Sequence, residues 1–594
     1  MAKTIGNRKR FRKQSFKKLA KDAADVGLPF SDQLFKAEDK SVAVSSQYRT
    51  QLDVGKIIWK RPKELTDEPH LLYRQKLGPA QEVEFVGDGP NKWFIAAALA
   101  IATHKSVLYK VVPKADTHFL FGILKFKFWH LGHWTKVVID DKLPTFDNQL
   151  VFSSSRCHSV FWLPLFEKAY SKLYGSYEAM ASNSSLETAL IDMTGAMVET
   201  IELKSDGKER EQFRMLCEEL DKNAILCVKS KEAISLQNTY GLIEDCIYII
   251  KGIKKPSSGT FRKTLSLNKD NIKDASIRIM CTIASTHKKS NFPSNGQNFD
   301  RLKDFWIPID EFCKYFTSVT ICRTYTRDRA SKLSGNSSNQ FCFDVTDDCA
   351  EVMIDLMQSN SRQSAAAMGF NLYKIEVNRE FKIHNLNRVP NVLTVDALKQ
   401  RNIFKRIDLI SGRYLLQPIC TDPEMNVILR VYSHKFSHFK VLSQDMPRHN
   451  LLPFVSPKYP KFVTRITIIS ANILERQDSF GSANPYCVIR CGRQSVKSSP
   501  IPETLNPEWN HFSAVFYHNR FVSIIVELWH QSLLIDYFLG RIEVLPKINT
   551  NGLDSSLDNT TSIQELQLIS RKTESKIVGT IKLQVFTYED LRAF

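Results

Sequence analysis

Gly87-Asp88-Gly89-Pro90-Asn91-Lys92-Trp93-Phe94-Ile95-Ala96-Ala97 is the stretch on which the reading of this chain turns. Gly87 to Asn91 is rich in helix breakers, and Trp93, Phe94, Ile95, Ala96, Ala97, Leu99 and Ile101 form an apolar series too dense for a one-sided helix. The pattern predicts a helix buried on nearly all sides, with Asn91 as N-cap candidate and Lys92 at its start. A helix start presents free N–H groups and a positive dipole end, which favour an anion such as a thiolate and oppose an ammonium. The lysine is therefore the anomaly from which function is argued.

Working outward, Trp59-Lys60-Arg61-Pro62 precedes the helix, and Phe126-Lys127-Phe128-Trp129-His130-Leu131-Gly132-His133-Trp134-Thr135-Lys136 follows it. Beyond these stand Asp140-Asp141-Lys142-Leu143-Pro144-Thr145, Phe161-Trp162 with Leu165, Glu167-Lys168-Ala169-Tyr170, Gly175, Tyr177-Glu178-Ala179, Asp192 with Thr194-Gly195, and Phe305-Trp306. Together they resemble the protease core of the calpain family. That family carries a Gln-Gly-x-x-Gly-Asp-Cys-Trp motif with its nucleophile at a helix N-terminus. Aligned without gaps, the motif falls on Val86 to Trp93, and only Gly87 and Trp93 match.

The resemblance implies that Val86 replaces the oxyanion-stabilising amide and Lys92 the cysteine. Valine has no donor for a developing oxyanion, and an alkylammonium with an unperturbed pKa of about 10.4 stays mostly protonated at neutral pH. The family's Gly-x-x-x-Gly-His-x-Tyr stretch falls on Gly241 to Tyr248 and puts Cys246 where the general base belongs. Its Arg-Asn-Pro-Trp-Gly run maps nearest to Arg278-Ile279-Met280-Cys281, which puts Cys281 at the orienting position. Acyl transfer by a thiolate needs nucleophile, base, orienting group and oxyanion hole together.

The expectation is a calpain-like pseudoprotease, a non-catalytic binding or scaffold protein. One alternative is an active calcium-dependent cysteine endopeptidase using substituted residues, such as a Cys246–Cys281 pair or Lys92 serving a nearby serine as base. Another is a membrane-surface or nucleic-acid adaptor driven by the basic tail and the C-terminal domain. Buried cysteines behave as small hydrophobes, so filling of a vacated cleft is the reading preferred for Cys246 and Cys281.

With 594 residues, 43% hydrophobic and 11% aromatic, the chain has material for several domains. The fold class expected is α+β multidomain, a papain-like two-lobed core followed by two antiparallel β-sandwich domains, C2-like and C2. The divisions expected are a basic tail at 1–44, lobe 1 at 45–200, lobe 2 at 201–330, a C2-like sandwich at 338–455 and a C2 domain at 460–590. Short β-runs such as Phe341–Val345, Gly369–Val377 and Val427–Tyr432 carry the first sandwich. For the second, Asp478 to Tyr486, Thr504 to Asn510 and Phe538-Leu539-Gly540 resemble C2 motifs. No EF-hand loop pattern is present, so the resemblance is to atypical calpains ending in a C2 domain.

Calpain lobes each bind calcium, and here Glu178 and Asp304 match one acidic position apiece, while Val83 stands where an acid is usual. Calcium wants six to eight oxygens at one point. In the C2 domain Asp478 keeps the first ligand position, but Asn484 holds the second, and Trp529-His530-Gln531-Ser532 and Tyr537 supply few acids, with Asp536 adjacent. No cofactor is required on this reading. Calcium remains possible with most ligands lost.

The formal net charge is +19 and the pI near 9.2. Lys3, Arg8, Lys9, Arg10, Arg12, Lys13, Lys17, Lys18 and Lys21 all precede the first acid, Asp22. Of these, Lys9, Arg10, Arg12, Lys13, Lys17 and Lys18, with Arg490, Arg493 and Lys497 of the C2 domain, are the membrane- or anion-binding candidates, since such runs attract anionic lipid, acidic protein, nucleic acid or an import receptor. Phe16 to Lys36 also resembles the short N-terminal region of calpains, which favours partial docking on the core. Twelve cysteines lie scattered without metal-site spacing, as in a reduced chain. The location expected is cytoplasmic, at membrane or cytoskeleton, or nuclear. By resemblance, cytoskeletal or signalling proteins are the partner class.

Overall fold

The computed structural model describes residues 9–72, 83–84, 91–113, 121–155, 157–204, 207–232, 240, 242–254, 276–282, 304–327, 329–346, 350–359, 366–422, 424–433, 436–447, 459–473, 483–532, 534–549, 563–571 and 576–594. Val86 and Asp478 lie outside the described residues, as do Lys3 and Arg8. The chain forms two compact units, residues 1–330 with 359–364, and residues 331–358 with 365–594.

In the first unit, helix α1 (Phe16–Val26) ends at Gly27, whose φ of 70° is the left-handed conformation that glycine adopts without penalty. Helices α2 (Ser46–Gln51), α3 (Lys92–Ala102), α4 (Lys105–Val111), α5 (Trp162–Tyr174) and α6 (Leu186–Thr194) follow. Phe94 to Ala102 are all buried, as the apolar density predicts. Strands β2 (Ile123–His130) and β3 (His133–Asp140) make an antiparallel hairpin joined by Leu131-Gly132. Its inner face brings Phe126 and Phe128 within 5.6 and 5.0 Å of the Phe166 ring on α5.

The N-terminal segment is built into this lobe and is not a free arm over its described residues. Strand β1 (Lys9–Arg10) pairs in parallel with Thr135 and Lys136 of β3. The buried Lys172 ammonium donates to Asp32 Oδ2 at 2.5 Å, Gln14 Oε1 at 2.7 Å and Val138 O at 2.5 Å. Asp32 in turn receives the Gln14 amide, and its own N–H donates to Asp140 Oδ2, while Lys168 pairs with Asp140. Buried charges are tolerated when paired and fully hydrogen-bonded, and this network meets that condition across three segments.

The second lobe is a six-stranded antiparallel sheet in the order β8-β7-β6-β5-β9-β4, with β4 Met197–Glu202, β5 Ile225–Ser230, β6 Ile247–Lys254, β7 Ser276–Cys281, β8 Asp304–Pro308 and β9 Phe316–Arg323. The sequence-expected runs at Ile225, Ile247 and Ile277 fall in β5, β6 and β7. Helix α7 (Glu209–Asp221) buries Phe213 and Leu216 in its core.

The second unit holds two β-sandwiches. The first begins at Ser331, earlier than the expected 338, and packs a four-stranded sheet on a five-stranded one around Phe341, Phe343, Ile354, Phe370 and Leu416. The other runs from Phe462 to Tyr588 as an eight-stranded sheet in which strand Tyr537–Val544 meets strand Gln564–Ile569 through the Arg541–Ile569 pair. Cys487 and Cys491, four apart on strand Pro485–Cys491, share its core face. A polar joint links the sandwiches: Val377 N–H donates to Ser513 O, and the Asn378 side chain bonds both N and O of Val515. Beside it lies the buried Glu376–Arg379 pair, with Arg379 also reaching the Tyr517 hydroxyl.

Candidate functional site

Lys92 is the first residue of α3 and is half-buried. Asn91 occupies the N-cap position, but its side chain makes no cap bond. It turns inward instead, and its amide donates to Glu167 Oε1 at 3.1 Å, leaving Asn91 Oδ1 buried without a hydrogen-bond partner. Glu167 Oε2 accepts from Ser153 N at 2.9 Å and Ser153 Oγ at 2.5 Å. Burial pushes the Glu167 carboxyl above its usual range, against the pull of the Ser153 and Asn91 hydrogen bonds. The helix start thus rests on a buried carboxylate that sequence reasoning noticed only as part of a family string. Its signal was the acid on the apolar face of α5, where Trp162, Phe166 and Tyr170 surround it in sequence.

Trp93 fixes the other side of this turn. Its ring meets Phe94 and Tyr170 edge-on, at 6.2 and 6.3 Å. The Tyr170 and Tyr174 hydroxyls both donate to buried Asp192.

At the candidate base position, Cys246 is 1% exposed and belongs to the lobe 2 core with Tyr248, Val228 and Phe316. Its backbone N–H donates to Ser230 Oγ at 2.9 Å, and its sulfur reaches Ile247 O at 3.6 Å. Strand register sets Cys281 opposite Tyr248, two residues from Cys246, and Thr282 Oγ1 donates to Ile247 O. Cys246 thus lies just before β6 and Cys281 at the end of the neighbouring β7, and α3 packs against β5 and β6.

The metal candidates are dispersed. Glu178 accepts from Val44 N at 2.6 Å, Ser45 N at 3.0 Å and the Ser45 hydroxyl, which ties its carboxylate to the segment entering α2. Asp304 lies on β8 opposite Met280. In the C2 domain Asn484 Oδ1 accepts from Glu503 N at 2.9 Å, and Asn484 N–H donates to His530 Nδ1. Asp536 accepts from the Tyr486 hydroxyl at 2.7 Å and from Ser532 N at 3.2 Å. Among the described residues no three His, Cys, Asp or Glu side chains gather as a metal site.

The basic candidates divide. Lys9 and Arg10 form β1, Arg12 donates weakly to Leu34 O at 3.5 Å, and Lys13, Lys17 and Lys18 are exposed. Arg490 pairs with Glu527 at 3.2 Å, Arg493 is exposed in a turn, and the Lys497 ammonium sits 3.7 Å from the centre of the Tyr486 ring.

Comparison with known proteins places these features. The calpain family cysteine protease profile matches residues 30–271, the profile of calpain large subunit domain III matches 331–432, and the C2 domain profile matches 463–559. Calpain-5 of Mus musculus is 26% identical over 660 residues, covering 98% of this chain and 99% of its own. Calpain-9 of Homo sapiens is 26% identical, covering 73% of this chain and 68% of its own. Among solved structures, the C2A domain of plant extended synaptotagmin 1 matches at 18% identity, covering 22% of this chain and 95% of that one, with a TM-score of 0.18. The chain belongs to the calpain family, with a protease core, domain III and a C-terminal C2 domain.

Proposed function

We propose that this chain is a calpain-fold protein that binds polypeptide without cutting it. The observation that carries the reading is the residue at the base position: Cys246, a thiol packed among Tyr248, Val228 and Phe316, cannot accept a proton and return it as an imidazole does. Lys92 at the helix start supports it, because the dipole that activates a thiolate works against an ammonium. The retained helix, its Trp93 anchor and the two lobes preserve a frame for holding extended chain.

The C2 domain acts without tight calcium binding on this reading. Asn484 brings no negative charge to the second ligand position, and Asp536 is committed to Tyr486 and Ser532. Cytoskeletal or signalling proteins in the cytoplasm are the partners proposed.

The test is casein cleavage by the purified chain in calcium, with Lys92→Ala alongside. No cleavage by either protein is expected. Turnover by the wild type that Lys92→Ala abolishes would show a substituted active enzyme instead.

A further inference from the structure

The segment after strand Ile577–Tyr588 turns back and fills a pocket at the joint between the two sandwiches. Asp590 makes the turn: its carboxylate accepts from Arg592 N–H at 2.9 Å and its carbonyl from Ala593 N–H at 3.1 Å. Residues 591–594 belong to no strand, yet Ala593 is fully buried and Phe594 is 2% exposed. The sandwich that begins at Ser331 holds their main chain. His384 N–H donates to Phe594 O at 3.1 Å, and Arg388 Nη1 donates to Ala593 O at 3.3 Å. The C2 domain walls the Phe594 ring with Val463, Val515, Phe586 and Tyr588, the last edge-on at 5.2 Å. The Arg465 guanidinium lies 4.7 Å from the ring centre, and its Nη1 donates to Arg388 O at 2.9 Å.

Arg465 makes this a pocket for an aromatic side chain. Its Nε is buried with no hydrogen-bond partner among the described residues, and Glu376, 4.0 Å away, is already closely paired with Arg379. Burial holds the Arg465 pKa below the usual arginine value; Glu376 opposes this, and the Arg379 and Arg388 charges add to it. A desolvated guanidinium short of anionic partners gains from the negative face of an aromatic ring, which an aliphatic side chain lacks. The two donors, His384 N–H and Arg388 Nη1, take carbonyls of successive residues, which any peptide supplies.

We propose that this joint is a binding pocket for a short peptide carrying an aromatic residue, and that residues 591–594 are the ligand it holds in cis. Tethered one turn from its strand, the segment works at an effective concentration on the order of a millimolar, so a modest intrinsic affinity keeps the pocket filled. Held by two main-chain hydrogen bonds and one ring, it opens more readily than the strands around it. A partner segment with an aromatic residue then competes for the same place. The pocket uses no residue of the protease core, so its failure and that of the pseudoprotease reading are read in different assays.

The experiment uses the full chain with Phe594→Ala, which empties the ring site and leaves the rest of the segment. The probe is a fluorescein-labelled, amidated peptide of residues 589–594, Glu-Asp-Leu-Arg-Ala-Phe. In fluorescence anisotropy Phe594→Ala should bind it at least about tenfold more tightly than wild type, whose own segment competes. The same peptide ending in leucine should bind Phe594→Ala about fivefold more weakly. Arg465→Gln/Phe594→Ala should lose that preference for phenylalanine over leucine. Should the alanine variant not fold, Phe594→Leu keeps the apolar volume and should still bind the phenylalanine peptide more tightly than wild type. Equal binding to wild type and the position-594 variant, or equal binding of the two peptides, would overturn the proposal. So would the absence of binding to a folded position-594 variant, which would make residues 591–594 fixed core and not a ligand.

Discussion

The Asn91 amide donates to Glu167 Oε1 at 3.1 Å beneath the first turn of the helix that Lys92 begins. In the family motif an aspartate stands at position 91, and it would face Glu167 as a second carboxylate. Asparagine removes that conflict. Asn91→Asp should therefore destabilise the core by about 2 kcal/mol at neutral pH, the scale of an uncompensated buried polar change. The loss should shrink on acidification, because two adjacent carboxylates share a proton readily. Thermal melts of the two proteins at neutral and mildly acid pH measure this, and a deficit that does not shrink would place residue 91 away from Glu167.

Lys92→Cys isolates the nucleophile position. A thiol there stands at a helix start and should become a thiolate more readily than the exposed Cys157. Faster alkylation by iodoacetamide at residue 92 than at Cys157 is expected, together with no cleavage of casein, since on the proposed reading Cys246 still stands in place of the base. Measurable turnover by this variant would refute the assignment of Cys246.

How far the sequence foretold this arrangement depends on the range of each interaction. The buried α3 was legible because its apolar density is local, and Cys487 and Cys491 shared a face because strand period is local. Asn91 read as a cap for the same reason, whereas its actual partner lies 76 residues away on α5. The basic N-terminus read largely as a tail because a charge run has no periodicity to announce docking. What fixes it is Lys172, 158 residues from Gln14 and 140 from Asp32. The pairing of Lys127 with Lys136 was visible in principle from the hairpin turn at Leu131-Gly132, once register is counted outward from it.

The joint between the sandwiches carries a pH dependence whose sign follows from Glu376. Burial alone would raise its pKa, but the Arg379 charge and its two hydrogen bonds, with Arg465, outweigh burial and hold it below the usual glutamate value. A depressed folded pKa means that the stabilisation is fully present above the unfolded value of about 4.3 and is lost as pH falls through the folded value. Acid titration should therefore loosen the second unit below about pH 4, followed by near-ultraviolet circular dichroism. Arg379→Ala leaves buried Glu376 with the longer contact to Arg465 at 4.0 Å in place of its close pair, and should cost up to about 3–5 kcal/mol at neutral pH. A variant as stable as wild type would exclude the pair as a stabilising joint.

On the proposed reading, the weakness of calcium binding by the C2 domain comes from the missing charge at position 484. Asn484 offers one neutral oxygen, and it already accepts from Glu503 N–H at 2.9 Å. Calcium affinity rises by orders of magnitude with the number of anionic oxygens at a site. Asn484→Asp should raise calcium affinity of the full chain by about tenfold or more in isothermal titration, while wild type shows no heat at micromolar calcium. Pairing that substitution with Tyr486→Phe, which removes the hydroxyl at 2.7 Å from Asp536, should raise it further by freeing a second carboxylate. Equal calcium affinity in wild type and Asn484→Asp would mean that the domain's calcium chemistry does not run through this loop.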